Sequence, residues 1–228
     1  MKRKANGFTL IEIAIVLVII GLLLGGVLKG QELITGARVR NLISQQDGIK
    51  AAFFGFQDRY RALPGDYAAA GSNINCGTGV TCVSGNGNGR IEAGGTGAIH
   101  EELVAWNHLT AAGFLNGSYT ATSGETIPTD ANNPKNPYSV YIQLVYDAVY
   151  GTGTVPPKHN LKTGSQVPVE IVAEVDRKVD DGKPTTGGFQ FSIYAPTGGT
   201  APTATSCMLS GNWNISGSDT NCGGTSLF

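Results

Sequence analysis

The sequence predicts an α+β protein, in which a long N-terminal helix packs on a small antiparallel sheet and a loop-rich C-terminal part follows. Three observations predict this class. A helix-like rhythm of apolar residues runs from about residue 8 without a proline before Pro64. Segments 138–146 and 189–194 are rich in β-branched and aromatic residues, as strands are. Glycine is abundant, at 33 residues, most of them from Gly71 onward, and only 14% of residues are charged, which is typical of a loop-rich exported domain.

The predicted helix has two halves, an apolar one and an amphipathic one. Residues 8–28 form an apolar run of the roughly 20 residues that cross a bilayer, and residues 29–62 continue the helix into the folded body. A basic cluster at residues 2–4 precedes the run and places the N-terminus in the cytoplasm. Glu12 lies inside the run, where an ionised carboxylate costs about 2.5 kcal/mol or more. Such a costly charge suggests a function for Glu12.

The ordinary N-terminal signals explain this segment less well. A secretory signal peptide ends in a small-residue cleavage site after its apolar core, whereas the break at Asn6-Gly7 comes before the core. A lipoprotein signal requires a cysteine, and no cysteine lies near this segment. A plain signal anchor stays possible, but it leaves Glu12 unexplained.

The segment resembles the type IV prepilin signal, which type IV pilins, competence pilins and the pseudopilins of type II secretion share. The matching residues are Lys2, Arg3, Lys4, Gly7, Phe8, Thr9, Leu10, Ile11 and Glu12. A weaker resemblance to a subgroup of prepilin-like proteins covers segments of the body, which are Leu63-Pro64-Gly65-Asp66, the Asn/Gly loop before Ile91, Trp106-Asn107-His108-Leu109, Ala112-Gly113 and residues 176–182.

The resemblance implies a processing and assembly pathway. Prepilin peptidase would remove residues 1–7 by cutting between Gly7 and Phe8, and Phe8 would become an N-methylated N-terminus. Glu12 of one subunit would then neutralise the Phe8 ammonium of its neighbour, since two opposite charges attract strongly in a low-dielectric filament core. The implied partners are the peptidase, other pilin or pseudopilin subunits and an inner-membrane assembly platform.

The body, residues 63–228, is predicted to contain two further helices and two strands. An amphipathic helix over Glu101–Ala112 carries Glu101 and Glu102 in its first turn, where the helix dipole favours them, and it stops at Gly113. A second helix covers Val167–Asp181. The strands are Tyr138–Tyr146 and a segment that contains Phe189, Phe191 and Ile193, and the tail from Cys207 to Cys222 is loop with at most one strand.

The four cysteines form two close pairs in the sequence, Cys76/Cys82 and Cys207/Cys222. Because the basic cluster places the body outside the cytoplasm, disulfides can form there. Four cysteines allow three connectivities, of which we predict pairing within each cluster. Zinc is disfavoured, since neither C-x₂-C spacing nor neighbouring histidines accompany these pairs.

Two segments are weak candidates for a metal site. Asn86 and Asn88 alternate before Ile91 as in a calcium loop, but Ser84 and Gly95 occupy its first and twelfth positions, so a flexible Gly-rich turn is the alternative. Asp176 and Asp180 share a face of the second predicted helix, and Asp180 and Asp181 lie in its last turn, where the dipole disfavours anions. A salt-bridge cluster with Arg177, Lys178 and Lys183, a cation site and a solvated helix end all fit this pattern.

Charge and motif content restrict the function. The whole chain has a net charge of −1, and without residues 1–7 it has 13 basic against 17 acidic residues, a net charge of −4, which argues against a nucleic-acid surface built on bulk charge. The three histidines lack metal-ligand spacing, and His108 is predicted to be packed or hydrogen-bonded. Nothing in the sequence argues for catalysis, and no resident cofactor is predicted.

Three functions therefore stand as hypotheses. The first is a pilin or minor pilin, anchored in the inner membrane with a periplasmic body and then assembled into a pilus. The second is a pseudopilin of type II secretion in a periplasmic pseudopilus. The third, from another class, is a membrane-anchored periplasmic binding or enzyme domain that carries the same signal.

Overall fold

A computed structural model describes residues 10–79, 81–94 and 99–228 and confirms the α+β class. The chain divides into two compact units, Met1–Arg38 and Val39–Phe228. In its described residues, the first unit is helix. The second unit holds the sheet, the remaining helices and the whole hydrophobic core.

Helix α1 runs from Leu10 to Tyr60, close to the predicted bounds. It ends where Arg61 takes a left-handed backbone conformation, with φ of 53°, and where the Arg61 N–H donates to the Gln57 carbonyl at 2.9 Å. Pro64 follows shortly and cannot continue a helix. In the second unit, one face of α1 is buried, and its residues recur mostly every three or four positions. They are Val39, Leu42, Gln46, Ile49, Ala52, Phe53 and Phe56.

The main sheet has four strands, all antiparallel to their neighbours, in the order β1-β2-β6-β3. These strands are β1 (Gln143–Asp147), β2 (Lys158–Lys162), β3 (Phe189–Phe191) and β6 (Gly224–Leu227). The last strand of the chain therefore lies in the interior of the sheet, between β2 and β3. The predicted strand at 138–146 begins later than expected, because the Asn136 side chain accepts hydrogen bonds from the Tyr138 and Val140 amides and holds a turn there.

The helices of the body are α2 (Ala70–Asn73), α3 (Glu101–Ala111), α4 (Val169–Val179) and α5 (Ala204–Cys207). Gly113, with φ of 81°, ends α3: its N–H donates to the Thr110 carbonyl, and the Phe114 N–H donates to the Leu109 carbonyl. The prediction of an amphipathic α3 was wrong. Every residue from Glu101 to Leu109 is buried, because α3 lies in the interior with protein on all sides.

The C-terminal tail is more ordered than predicted. After α5, a two-stranded hairpin forms from β4 (Met208–Leu209) and β5 (Asn212–Trp213), and a 3-10 helix spans Ile215–Gly217. Polar and small residues dominate this stretch, so its periodicity carries little signal for strands.

Two hydrophobic clusters make up the core of the body. The first joins the end of α1 to α3 and the sheet, with Phe53, Phe56, Trp106, Leu109, Leu144 and Leu161 among its members. The second joins residues nearer the start of the unit to α4, β3 and the tail, through Val39, Leu42, Val172, Phe189, Phe191 and Trp213. Helix α1 contributes to both clusters and is the element on which the body is built.

Candidate functional site

The first half of α1 is an uncovered apolar surface. All side chains from residue 10 to residue 29 are exposed. An 18-residue window of this helix has a mean hydropathy of 2.8 and no buried residue, and by length and composition the helix can cross a bilayer. An exposed apolar surface of this extent is typical of a segment that lipid or other helices cover.

Glu12 lies in the first turn of α1. Gly7 and Phe8, the predicted processing residues, lie outside the described residues. The next charged residues along α1 are Lys29 and Glu32, which follow the apolar run and form an exposed ion pair at 2.6 Å.

Two disulfides fasten loops of the body. Cys76 is bonded to Cys82 and Cys207 to Cys222, so each bond closes a short loop. Both cysteines of the second bond are fully buried in the second hydrophobic cluster. Of the first pair, Cys82 is buried and Cys76 is partly exposed.

In the Asn/Gly loop, the predicted calcium ligands make hydrogen bonds within the loop. The side-chain oxygens of Asn86 and Asn88 accept from the Asn88 and Arg90 amides, each at 2.9 Å, as in Asx turns. Their side-chain amides donate to Glu92 Oε2 at 3.1 and 2.9 Å. Gly95, the twelfth position of the proposed loop, lies outside the described residues. Calcium binding here stays a prediction, and the oxygens that would hold the ion accept backbone N–H groups instead.

Two buried carboxylates hold this loop against the core. Asp66 accepts from the Asn88 and Gly89 amides at 2.9 and 2.8 Å, and Glu101 accepts from the Asn86 and Glu92 amides at 2.9 and 3.1 Å. Burial raises the pKa of Glu101, although these two hydrogen bonds oppose the shift. The sequence assigned Glu101 to the helix dipole and missed this role. The segment Leu63-Pro64-Gly65-Asp66, which the weaker resemblance singled out, contains Asp66 and was the available sequence signal for this contact.

The acidic cluster at the end of α4 brings together the predicted residues. One carboxylate oxygen from each of Asp176, Asp180 and Asp181 lies within 4.8 Å of the others. Asp176 accepts from Trp213 Nε1 at 2.6 Å and from the Gly182 amide at 3.3 Å. The other two aspartates are held by backbone amides and a hydroxyl, those of Gly188 and Phe189 for Asp180 and of Lys183 and Thr186 for Asp181.

Hydrogen bonds therefore offset the unfavourable dipole at this helix end. Arg177 and Lys178, which the sequence suggested as ion-pair partners of the aspartates, both pair with Glu174 instead, at 2.6 and 3.1 Å. Burial raises the pKa of Asp176 to about 6, and the charges of Asp181 and Asp180 add to the rise while the Trp213 hydrogen bond opposes it.

His108 is packed and hydrogen-bonded within the core. Its Nδ1 accepts from the Gly65 amide at 3.0 Å, so the proton lies on Nε2, which donates to the Val83 carbonyl at 2.7 Å. The ring lies nearly parallel to that of Phe56, with the two ring centroids 6.1 Å apart. Burial lowers the pKa of His108 to about 4, which keeps it neutral at physiological pH.

A buried ion pair in the sheet was not predicted from the sequence. Lys162 of β2 pairs with Asp147 of β1, and Asn160 Nδ2 donates to the same aspartate at 2.9 Å. Lys162 is only 2% exposed, and burial lowers its pKa while Asp147 raises it. A lone lysine in a polar segment gives no sequence signal of burial.

Comparison with known protein families gave a match at the N-terminal end of this chain. The family model of the prokaryotic N-terminal methylation motif matches residues 2–28. This end of the chain therefore carries a type IV prepilin-like signal, and the signal coincides with the uncovered half of α1. Neither the curated proteins nor the solved structures gave a match to the chain. The apolar helix and the motif together fit a membrane anchor.

Proposed function

We propose that this chain is a prepilin whose mature form is a structural subunit, a pilin or minor pilin, of a type IV pilus-like filament. Residues 1–7 are the leader, which prepilin peptidase removes after Gly7 before Phe8 is methylated. Residues 8–28 span the membrane and later line the filament core. Residues 29–62 continue the helix, and residues 63–228 form the exported body.

The observation that carries this proposal is the coincidence of signal and surface. The methylation motif covers residues 2–28, and the described side chains of this stretch are all exposed and almost all apolar. A plain lipid anchor needs only the apolar side chains. A filament core also explains Glu12, because a carboxylate in an apolar bundle is stabilised by an opposite charge from a neighbour. The methylated Phe8 ammonium of the adjacent subunit supplies that charge.

Topology follows from the basic cluster at residues 2–4. Positive charge flanking an apolar helix stays on the cytoplasmic side, so the body lies in the periplasm before assembly. Two disulfides in the body suit that oxidising compartment. The partners in this proposal are prepilin peptidase, other pilin subunits and an inner-membrane assembly platform, and the subunit has a structural, not an enzymatic, role.

A pseudopilin of type II secretion is the second candidate, because the matched motif is common to both classes of subunit. Deletion of the chain separates the two. Loss of surface filaments supports the pilin, whereas loss of protein secretion with intact pili supports the pseudopilin.

The proposal is tested by comparing the filament yield of Glu12→Ala with that of the matched control Glu32→Ala. Glu32 lies beyond the apolar run and pairs with Lys29 on an exposed surface. We expect Glu12→Ala protein to be cleaved and membrane-bound, yet about tenfold less abundant in sheared filaments, since a buried ammonium loses its partner. Glu32→Ala should assemble normally. A normal filament yield from Glu12→Ala would contradict the proposed pairing.

A further inference from the structure

Three Asn-Gly dipeptides lie within the described residues, at Asn86-Gly87, Asn88-Gly89 and Asn116-Gly117. In such a dipeptide, the backbone nitrogen of the glycine can close a five-membered ring on the asparagine side chain. Glycine leaves this approach open, because it has no Cβ and adopts many backbone conformations. The three sites are almost equivalent in sequence, so a difference in their reactivity has to come from the fold.

Exposure to solvent does not distinguish the three sites. All six residues of these dipeptides are exposed. Each glycine also has a positive φ, of 73°, 80° and 127° in chain order. Water therefore reaches every site, and what differs is the hydrogen bonding of the two groups that react, the glycine amide and the asparagine side chain.

In the Asn/Gly loop, both reacting groups are held by hydrogen bonds. The two glycine amides donate to Asp66, one to its carbonyl at 2.9 Å and the other to its Oδ2 at 2.8 Å. The side-chain amides of Asn86 and Asn88 both donate to Glu92 Oε2, and their side-chain oxygens accept backbone amides. Ring closure at either site therefore has to break several hydrogen bonds first.

The third dipeptide lies in a bend after α3, and the chain is fastened on both sides of it. The Leu115 amide donates to the Leu109 carbonyl at 3.1 Å, and the Tyr119 carbonyl accepts from an asparagine side chain at 2.8 Å. Between these anchors, neither the Asn116 side chain nor the Gly117 amide has a hydrogen-bond partner among the residues that the structure describes. A segment with so few hydrogen bonds changes conformation at little cost in free energy.

We propose that Asn116 is a self-modification site. The Gly117 backbone nitrogen attacks Asn116 Cγ, the bond from Cγ to Nδ2 breaks, and the Gly117 proton leaves with the side-chain nitrogen as ammonia. The cyclic imide that forms then takes up one water molecule. Opening of one imide bond gives aspartate, and opening of the other gives isoaspartate, whose backbone contains one additional methylene.

Asp66 provides an argument for the opposite order of reactivity. Its carboxylate accepts from the Gly89 amide and could act there as a general base for ring closure at Asn88. However, Asp66 is only 3% exposed, and it also accepts from the Asn88 amide at 2.9 Å. The same carboxylate therefore restrains the backbone on both sides of the Asn88 side chain, and we expect this restraint to outweigh the activation.

The modification changes the surface that follows α3. Residues 112–118 are uncharged, so aspartate or isoaspartate at position 116 introduces a negative charge there. The isoaspartate form also lengthens the backbone of the bend. Because the reaction requires water and no enzyme, the modified fraction increases with the age of the chain.

Peptide mapping by mass spectrometry tests the proposal on the full chain in detergent, kept in a warm and mildly alkaline buffer. Deamidation is followed over time at Asn116, Asn86 and Asn88, in the native chain and in the reduced chain unfolded in guanidinium chloride. In the native chain we expect Asn116 to react at least about tenfold faster than the other two, a difference of about 1.4 kcal/mol in activation free energy. In the unfolded chain, where the hydrogen bonds of the loop are lost, the three rates should be similar.

Asn116→Gln is the matched control, because its additional methylene would require a six-membered ring, and position 116 should then stay unmodified. Four results would overturn the proposal. They are an unmodified Asn116 in the native chain, equal native rates at the three sites, a faster native reaction at Asn86 or Asn88, and a preference for Asn116 that persists in the unfolded chain. Because the test does not involve filaments, its outcome is independent of the proposed function.

Discussion

At the scale of single residues, burial moves the pKa values of Asp176 and His108 in opposite directions. The pKa of Asp176 rises to about 6 and that of His108 falls to about 4. Both shifts favour the neutral form of a buried group. They have opposite consequences for the pH dependence of stability. His108 contributes stability that is lost as the pH falls from about 6.5 to 4, whereas the contribution of Asp176 is lost as the pH rises through 6.

The first prediction concerns Asp176→Asn. Because the folded pKa of Asp176 lies above its ordinary value of 3.8, the folded state binds the proton more tightly, and this stabilisation is present near pH 4 and lost as the pH passes 6. Asparagine keeps an acceptor for Trp213 and does not ionise. Urea unfolding from pH 4 to pH 7 should therefore show the variant gaining stability relative to the wild type as the pH rises. Asp58→Asn, at a carboxylate that is 81% exposed, is the control. Parallel profiles of wild type and Asp176→Asn would contradict this account.

At the scale of elements, the turn at Gly65 joins the end of α1 to α3 and to the Asn/Gly loop. Gly65 has a φ of 88°, and a Cβ there would lie 2.3 Å from the Glu101 carbonyl oxygen. Its amide is also the donor to His108 Nδ1. Residue 65 must therefore adopt a backbone conformation that residues other than glycine rarely adopt, and there is no room for a side chain.

The second prediction separates these two requirements. In Gly65→Ala, the alanine has to adopt a positive φ and its Cβ collides with the Glu101 carbonyl oxygen. In Gly113→Ala, at a φ of 81°, the alanine has to adopt a positive φ only, since a Cβ there has no described atom within 4 Å. We expect Gly113→Ala to cost about 1 kcal/mol of unfolding free energy and Gly65→Ala at least about 2 kcal/mol more. Denaturant unfolding of both variants measures the difference. Equal losses would show that the contact with Glu101 relaxes without cost.

The third prediction concerns the two disulfide-bonded loops. The Cys207–Cys222 loop spans 15 residues and the Cys76–Cys82 loop spans six. In the chain-entropy model, the longer loop stabilises by about 3 kcal/mol and the shorter by about 2 kcal/mol. Cys207 and Cys222 are also fully buried, so serine there would place a hydroxyl in the core.

We therefore expect Cys207→Ser to lower stability and filament yield more than Cys76→Ser does. Thermal unfolding and the yield of sheared filaments provide the comparison. Non-reducing peptide mapping tests the pairing itself. A peptide that joins Cys76 or Cys82 to either C-terminal cysteine would refute the two local disulfides.

Elements whose periodicity is strong were predictable, and those set by tertiary contacts were not. The end of helix α1 was predicted within two residues, because an unbroken apolar rhythm and Pro64 define it. Strand β2 was missed because its sequence, Lys-His-Asn-Leu-Lys, is polar, and its burial depends on the ion pair of Lys162 with Asp147.

At the scale of the whole molecule, two compact units face different surroundings. The body has a core of two hydrophobic clusters and is fastened by two disulfides. No described residue of Met1–Arg38 is buried, and an exposed apolar surface of this kind is typical of a segment that lipid or other helices cover. In the proposed function the subunit moves from the membrane to the filament and meets both of these environments, and a processed N-terminus would distinguish it from a plain membrane-anchored domain.

The intact mass and N-terminal sequence of the mature chain test this central claim most directly. The account predicts a chain that lacks residues 1–7 and begins with Phe8 carrying one methyl group. In Gly7→Val, the branched side chain should block the peptidase, and the full-length precursor should accumulate in the membrane. A mature chain that keeps residues 1–7, or one that begins after residue 20, would contradict the account.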